Sequence, residues 1–125
     1  GDRLGLDFPA RRVERCGANR QFSAAIGAEP RELYQARDYL ALYRRAAEIL
    51  ALKADMARLR DLPNEGVIVT APGDDCDFVS RFFAPHHGLD EDPVTGSTHC
   101  YLIPFWAERL GKQTLFGRQL FQTWR

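Results

Sequence analysis

The chemistry this chain can offer is densest in one run, Asp90-Glu91-Asp92-Pro93-Val94-Thr95-Gly96-Ser97-Thr98-His99. Three carboxylates lead into a proline. Hydroxyls then flank a glycine, and a histidine follows. Immediately afterwards the sequence turns apolar through Cys100, Tyr101, Leu102, Ile103, Phe105, Trp106, Ala107 and Leu110. A polar, glycine-containing run opening an apolar helix presents that helix's N-terminus as a site. The first N–H groups of a helix lack internal acceptors, and the helix dipole favours an anion there. Gly96 lets a ligand approach the backbone closely, and Asp92 can hold or move a proton beside that anion. The same residues also suit plain capping: Thr95 or Ser97 as the cap, Asp92 favouring the dipole, His99 in the core.

The elements that must position this run follow from composition and periodicity. Leu4 to Phe8 alternates and stops at Pro9, which predicts a short strand. Ala10 to Arg20 is basic and irregular. Gln21 to Ile26 predicts a helical turn stopped by Gly27, and Glu29-Pro30 begins a loop. In Arg37 to Tyr43, Tyr39, Ala41 and Tyr43 alternate with Leu40 and Leu42, favouring a strand while leaving a helix open. Arg44 to Arg60 is rich in good helix formers and predicts one helix, ended by Leu62 to Gly66. Val67 to Ala71 and Asp77 to Ala84 predict an antiparallel hairpin, apolar on both faces, around a turn at Pro72-Gly73-Asp74-Asp75. Thr95 to Leu110 predicts a largely buried helix, kinked at Pro104 and closed by Gly111 in the left-handed region. Its apolar residues lie nearly all round, as in a helix surrounded by protein. Thr114 to Trp124 predicts a last strand.

Length and charge narrow the function classes. The 125 residues suffice for one core. Seventeen basic and seventeen acidic residues cancel, so no field favours nucleic acid or an anionic membrane. The longest apolar run, Tyr101 to Ala107, is too short to span a bilayer. Cys16, Cys76 and Cys100 form neither a disulfide framework nor a metal pattern, and a cytoplasmic location is the expectation. His86 and His87 are neighbours without partners at ligand spacing, so no metal is expected.

Three segments carry a family resemblance: Asp77-Phe78-Val79-Ser80-Arg81-Phe82-Phe83-Ala84-Pro85, Glu91 to His99, and Trp106-Ala107-Glu108-Arg109-Leu110-Gly111-Lys112. Together they closely resemble the phenazine-biosynthesis (PhzF-like) isomerase family. Leu6-Asp7-Phe8-Pro9-Ala10 also looks like the strand ending that family's first half. The resemblance implies an α+β, diaminopimelate-epimerase-like fold of two halves. Each is a mostly antiparallel sheet wrapped around a buried central helix, with the active site between them. Residues 1–10 would then end the preceding half and residues 11–125 form a truncated C-terminal domain.

It also implies roles. Asp92 matches the family's motif aspartate, near where related epimerases carry a catalytic cysteine. Gly96 and Ser97 match residues that bind substrate carboxylate. Thr95 and His99 match the motif's threonine and histidine and join them as substrate-binding residues, while Cys100 is core. The implied reaction is cofactor-free proton abstraction and return on a small carboxylate-bearing molecule.

Two departures qualify this. The family's other half supplies a glutamate base and a Gly-His-Ala-Thr motif, and neither occurs here. The 125-residue chain is therefore expected to be inactive by itself, with unfinished sheet edges that favour a homodimer. A non-catalytic anion-binding or protein-interaction module is the alternative. The family also continues past Gln119 with a Ser-x-Arg-Gly-Gly-like segment, whereas this chain reads Leu120-Phe121-Gln122-Thr123-Trp124-Arg125. Removing one T from a permitted codon choice restores Leu-Ser-Lys-Arg-Gly, so a shifted reading frame is expected there. Bulky Phe121 and Trp124 would then pack poorly or lie exposed.

Overall fold

In chain order the elements are β1 (Asp2–Gly5), β2 (Glu14–Cys16), α1 (Arg20–Ile26), β3 (Glu32–Gln35), β4 (Tyr39–Leu42), α2 (Ala46–Ala51), α3 (Met56–Arg60), β5 (Val67–Pro72), β6 (Phe78–Ala84), β7 (Leu89–Asp92), α4 (His99–Leu110) and β8 (Thr114–Gln119). They come from a computed structural model describing residues 2–5, 13–17, 19–36, 38–62, 66–84, 89–92 and 99–119, with the backbone alone described at 2–5, 89–92, 99–100 and 119.

The strands form one mixed sheet in the order β1-β8-β6-β5-β4-β3-β2, with β7 also paired to β6. Most pairs are antiparallel, whereas β4 with β5 and β6 with β8 are parallel. The fold is α+β, as the family resemblance implied. The β5–β6 hairpin is antiparallel in the register Val67↔Phe83 through Pro72↔Phe78. Both of its faces are buried because helices cover both sides of the sheet.

Alternation along the strands sorts the core into two layers. Tyr39, Ala41, Tyr43, Val67, Val69, Val79 and Phe83 pack with Phe22 and Ile26 of α1, Ile49 and Leu52 at α2, and Leu59 of α3. Leu40, Leu42, Ile68, Phe78 and Phe82 pack with Tyr101, Leu102, Ile103 and Trp106 of α4. The Tyr-Leu-Ala-Leu-Tyr alternation of residues 39–43 thus reads directly as the two sheet faces.

Several sequence expectations are corrected. The single helix over Arg44 to Arg60 is two short ones. Asp55 caps α3 by accepting from Ala57 N at 3.1 Å and Arg58 N at 3.3 Å. Its own N–H donates to Ala25 O at 2.7 Å, so the break docks α3 against the end of α1. There Gly27 has φ +100°, and a Cβ on it would lie 2.9 Å from Lys53 O. Buried Arg81 donates to Ile49 O at 2.7 Å and Leu52 O at 3.3 Å, satisfying carbonyls at the end of α2. The basic stretch before residue 20 contains β2, and β3 follows directly on the loop at Glu29-Pro30. The first strand is observed at Asp2–Gly5, with Leu6 to Phe8 outside the described residues.

Helix α4 is closed at Gly111 with φ +65°, as predicted. It is enclosed at Tyr101, Leu102 and Ile103. From Pro104 onward only Trp106 is fully buried, and Glu108, Arg109 and Leu110 are exposed. The helix is surrounded by protein from Tyr101 to Ile103 and one-sided beyond. The residue ranges 85–88, 93–98 and 120–125, including His86, His87, Phe121 and Trp124, lie outside the described residues.

Candidate functional site

Asp92 closes strand β7, in register with Phe82 of β6. The leading carboxylates of the motif, Asp90 and Glu91, belong to that strand too. Pairing to β6 overrides the poor strand preference of acidic residues. His99 is the first residue of α4. Thr95, Gly96 and Ser97 lie outside the described residues, within the connection from β7 to α4. The motif therefore starts at a strand end and finishes at the start of a 12-residue helix.

What fixes the helix is well defined. Trp106 is 2% exposed and stacks on Phe78, with centroids 5.9 Å apart and rings 3° from parallel. Its indole N–H donates to Thr70 Oγ1 at 3.0 Å, and that hydroxyl donates to Val79 O at 2.7 Å. Gly117 of β8 makes room for the stack: a Cβ there would sit 2.3 Å from Phe78 Cζ. Thr70 stands out in the sequence as the one polar residue in Val67-Ile68-Val69-Thr70-Ala71, a signal that could have been read as an anchor.

Polar contacts at the helix's other end complete its placement. Arg109 donates to Glu32 Oε2 at 2.8 Å, and the Tyr34 hydroxyl donates to Glu32 Oε1. The Tyr34 bond, then Arg109, holds the Glu32 carboxyl below its ordinary range. Burial and the Glu32 bond push the Tyr34 phenol up. Tyr34 also meets Phe105 edge-on at 5.2 Å. Beyond the helix, Lys112 donates to Asp77 Oδ1 at 2.7 Å and Phe116 N to Asp77 Oδ2 at 2.7 Å. These two donors, Lys112 first, hold the Asp77 carboxyl below its ordinary range.

The register lines up two rows on the α4-facing side of the sheet. One crosses Leu42, Thr70, Ser80 and the Gln119 position; the next crosses Leu40, Ile68, Phe82 and the Asp92 position. Strands β7 and β8 therefore share one edge of β6, and their C-terminal ends meet there. Among the described residues, no group of three or more His, Cys, Asp or Glu is placed to hold a metal ion. Nor is any described helix long and apolar enough to cross a membrane.

The family model for phenazine biosynthesis-like proteins matches residues 18–123. This chain belongs to that family. Two relatives from Pseudomonas aeruginosa, each named an uncharacterized isomerase, are 47% and 48% identical to it over 119 residues. Those matches take in 95% and 94% of this chain but 46% of each relative, so the chain spans about half their length. A crystal structure of a putative phenazine biosynthesis PhzC/PhzF protein from Clostridium difficile superposes with a TM-score of 0.85 at 40% identity. It covers 92% of this chain and 44% of that one. A PhzF-family structure from Enterococcus faecalis gives 0.85, 40%, 92% and 45%. Membership in a family with relatives named as isomerases places the chain in an enzyme family.

Proposed function

We propose that this chain forms one half of a cofactor-independent isomerase or epimerase acting on a small carboxylate-bearing metabolite. In this reading the proton leaves one atom of the substrate and returns at another. Asp92 holds or relays that proton, the backbone and hydroxyls of Thr95, Gly96 and Ser97 bind the carboxylate, and His99 completes the binding run. Residues 1–10 end the preceding half and residues 11–125 make up the C-terminal one. The observation carrying the reading is the placement of the motif's two described ends, Asp92 closing a strand and His99 opening α4, in a chain of this family. A helix start is where a carboxylate gains most from unsatisfied N–H groups.

Proton transfer needs both a positioned acid and a positioned base. Asp92 is the one candidate in this motif, so the isolated chain should bind a carboxylate without turning it over. Amide shifts at residues 96 and 97 on titration with succinate test the binding. In a two-half relative, Asn in place of the residue matching Asp92 should lower kcat far more than it raises KM. A change confined to KM would make Asp92 a binding residue. Turnover by the purified 125-residue chain, abolished by Asp92→Asn, would refute the division into halves.

A further inference from the structure

Strand β7 carries one residue more than its partner needs. Ala84 is paired with Leu89 and Phe82 with Asp92, so two steps along β6 are matched by three along β7. This is a β-bulge, a device that turns a strand's later positions onto the other face of a sheet. Regular antiparallel pairing continued from Ala84↔Leu89 would set Glu91 opposite Phe82 and Asp92 opposite Arg81. The extra residue sets Asp92 opposite Phe82 instead.

The two partners would treat a carboxyl oppositely. Arg81 is 3% exposed and faces α1 to α3, where it donates to Ile49 O and Leu52 O. A cation opposite an aspartate holds it ionised. Phe82 is 8% exposed and packs in the apolar layer beneath α4. Its ring lies over Gly66, where a Cβ would come within 2.8 Å of Phe82 Cε1. Residues directly opposed on one face have Cβ atoms about 4.5–5.5 Å apart. An apolar neighbour at that range disfavours the charged form of a carboxyl and so helps it keep a proton. The other titratable side chains described on this face are Asp38, whose Oδ1 lies beside Gly66, Tyr101 of α4, Arg15 at the outer edge, and Glu32, Tyr34 and Arg109, joined to one another. Of these, the Asp38 carboxylate is the one near Phe82, and a like charge acts in the same direction as the ring.

We infer that Phe82 is a positioning residue for the proton-carrying aspartate: the bulge in β7 gives Asp92 this apolar neighbour in place of the buried Arg81 cation. The inference rests on the proton-carrying reading of Asp92 proposed above and adds what lets that aspartate hold the proton it relays. Phe82→Ala takes the apolar neighbour away, and Phe82→Leu keeps one.

The test follows the carbon-13 carboxyl shift of Asp92 against pH in the 125-residue chain, assigned by its loss in Asp92→Asn. The wild type should titrate above the ordinary aspartate range. Phe82→Ala should lower the midpoint by about one unit, tenfold in proton affinity, as water reaches the carboxyl. Phe82→Leu should titrate near the wild type. A wild-type midpoint within or below the ordinary range would overturn the inference, with no variant required to fold. An unchanged midpoint in Phe82→Ala would do the same, as would Phe82→Leu falling as far as Phe82→Ala. A fall in Asp38→Asn with none in Phe82→Ala would assign the effect to the neighbouring carboxylate and overturn it too. Full turnover in a two-half relative carrying Asn at the residue matching Asp92 would instead remove the proton-carrying reading on which the inference stands.

Discussion

Thr70→Val is the sharpest test of how α4 is held. Valine keeps the volume and branching of threonine, so the packing changes little. What changes is the hydrogen bonding of the Trp106 indole N–H, now 3.0 Å from the Thr70 hydroxyl on a side chain only 2% exposed. A buried donor left without an acceptor costs about 1–3 kcal/mol. The bond from Thr70 to Val79 O is lost as well. We expect a total loss of about 2 kcal/mol, or a Tm lower by roughly 6–12 °C for a domain of this size. Urea unfolding followed by far-UV circular dichroism measures it. Thr70→Ser should recover most of the loss. Trp106→Phe removes the donor itself, so combining it with Thr70→Val should cost about 1 kcal/mol less than the two single losses summed. A Thr70→Val protein within about 0.5 kcal/mol of wild type, or strict additivity with Trp106→Phe, would refute the view that this bond fixes the helix.

Other outcomes follow from the same contacts. Trp106→Ala should cost about 3–5 kcal/mol in the same unfolding experiment, because it opens a cavity under α4. Gly117→Ala should cost about 1–3 kcal/mol, since its methyl would enter the Phe78 ring and push it from the Trp106 stack. Gly27→Ala is expected to lose about 1 kcal/mol or more, from a left-handed φ of 100° and a clash with the Lys53 backbone. Acid should destabilise the chain partly through Asp77. Its folded-state pKa lies below its unfolded value, so the stability it supplies is complete above the unfolded value. That contribution disappears as pH falls through the ordinary carboxylate range and then the lower folded one. Urea midpoints measured across that range should fall less steeply in Asp77→Asn.

Strict alternation made the centre of the sheet legible in the sequence. Residues 39–43 and 67–84 each have one set of side chains for α4 and another for α1 to α3, so period two survives intact. The edges were harder to read. The polar strand Glu32–Gln35 is held by Glu32 reaching Arg109 across the fold, a partner 77 residues away that local propensity cannot register. The carboxylates of β7 carry no strand signal of their own, and pairing to β6 makes them a strand. Helix formers on both sides of Asp55 masked the break between α2 and α3. Aspartate's preference for the cap position was the available clue. At the site, residue types located the motif, and the fold then showed which ends of it belong to a strand and a helix.

The pairing of β1 with β8 sets an order of events during synthesis. Asp2 pairs with Gly117 and Gly5 with Thr114, so among the described residues β1 joins the sheet only through β8. At about 5–20 residues per second a ribosome takes roughly 5–20 s to make the stretch between them. Strands β5 and β6 need no such delay, because a short turn joins them and each is the other's main partner. The hairpin can therefore nucleate before β8 has been made. Until Thr114 to Gln119 is made, β6 keeps an open edge where β8 will pair. A holding chaperone, or a second nascent chain on the same message, would find its opening there.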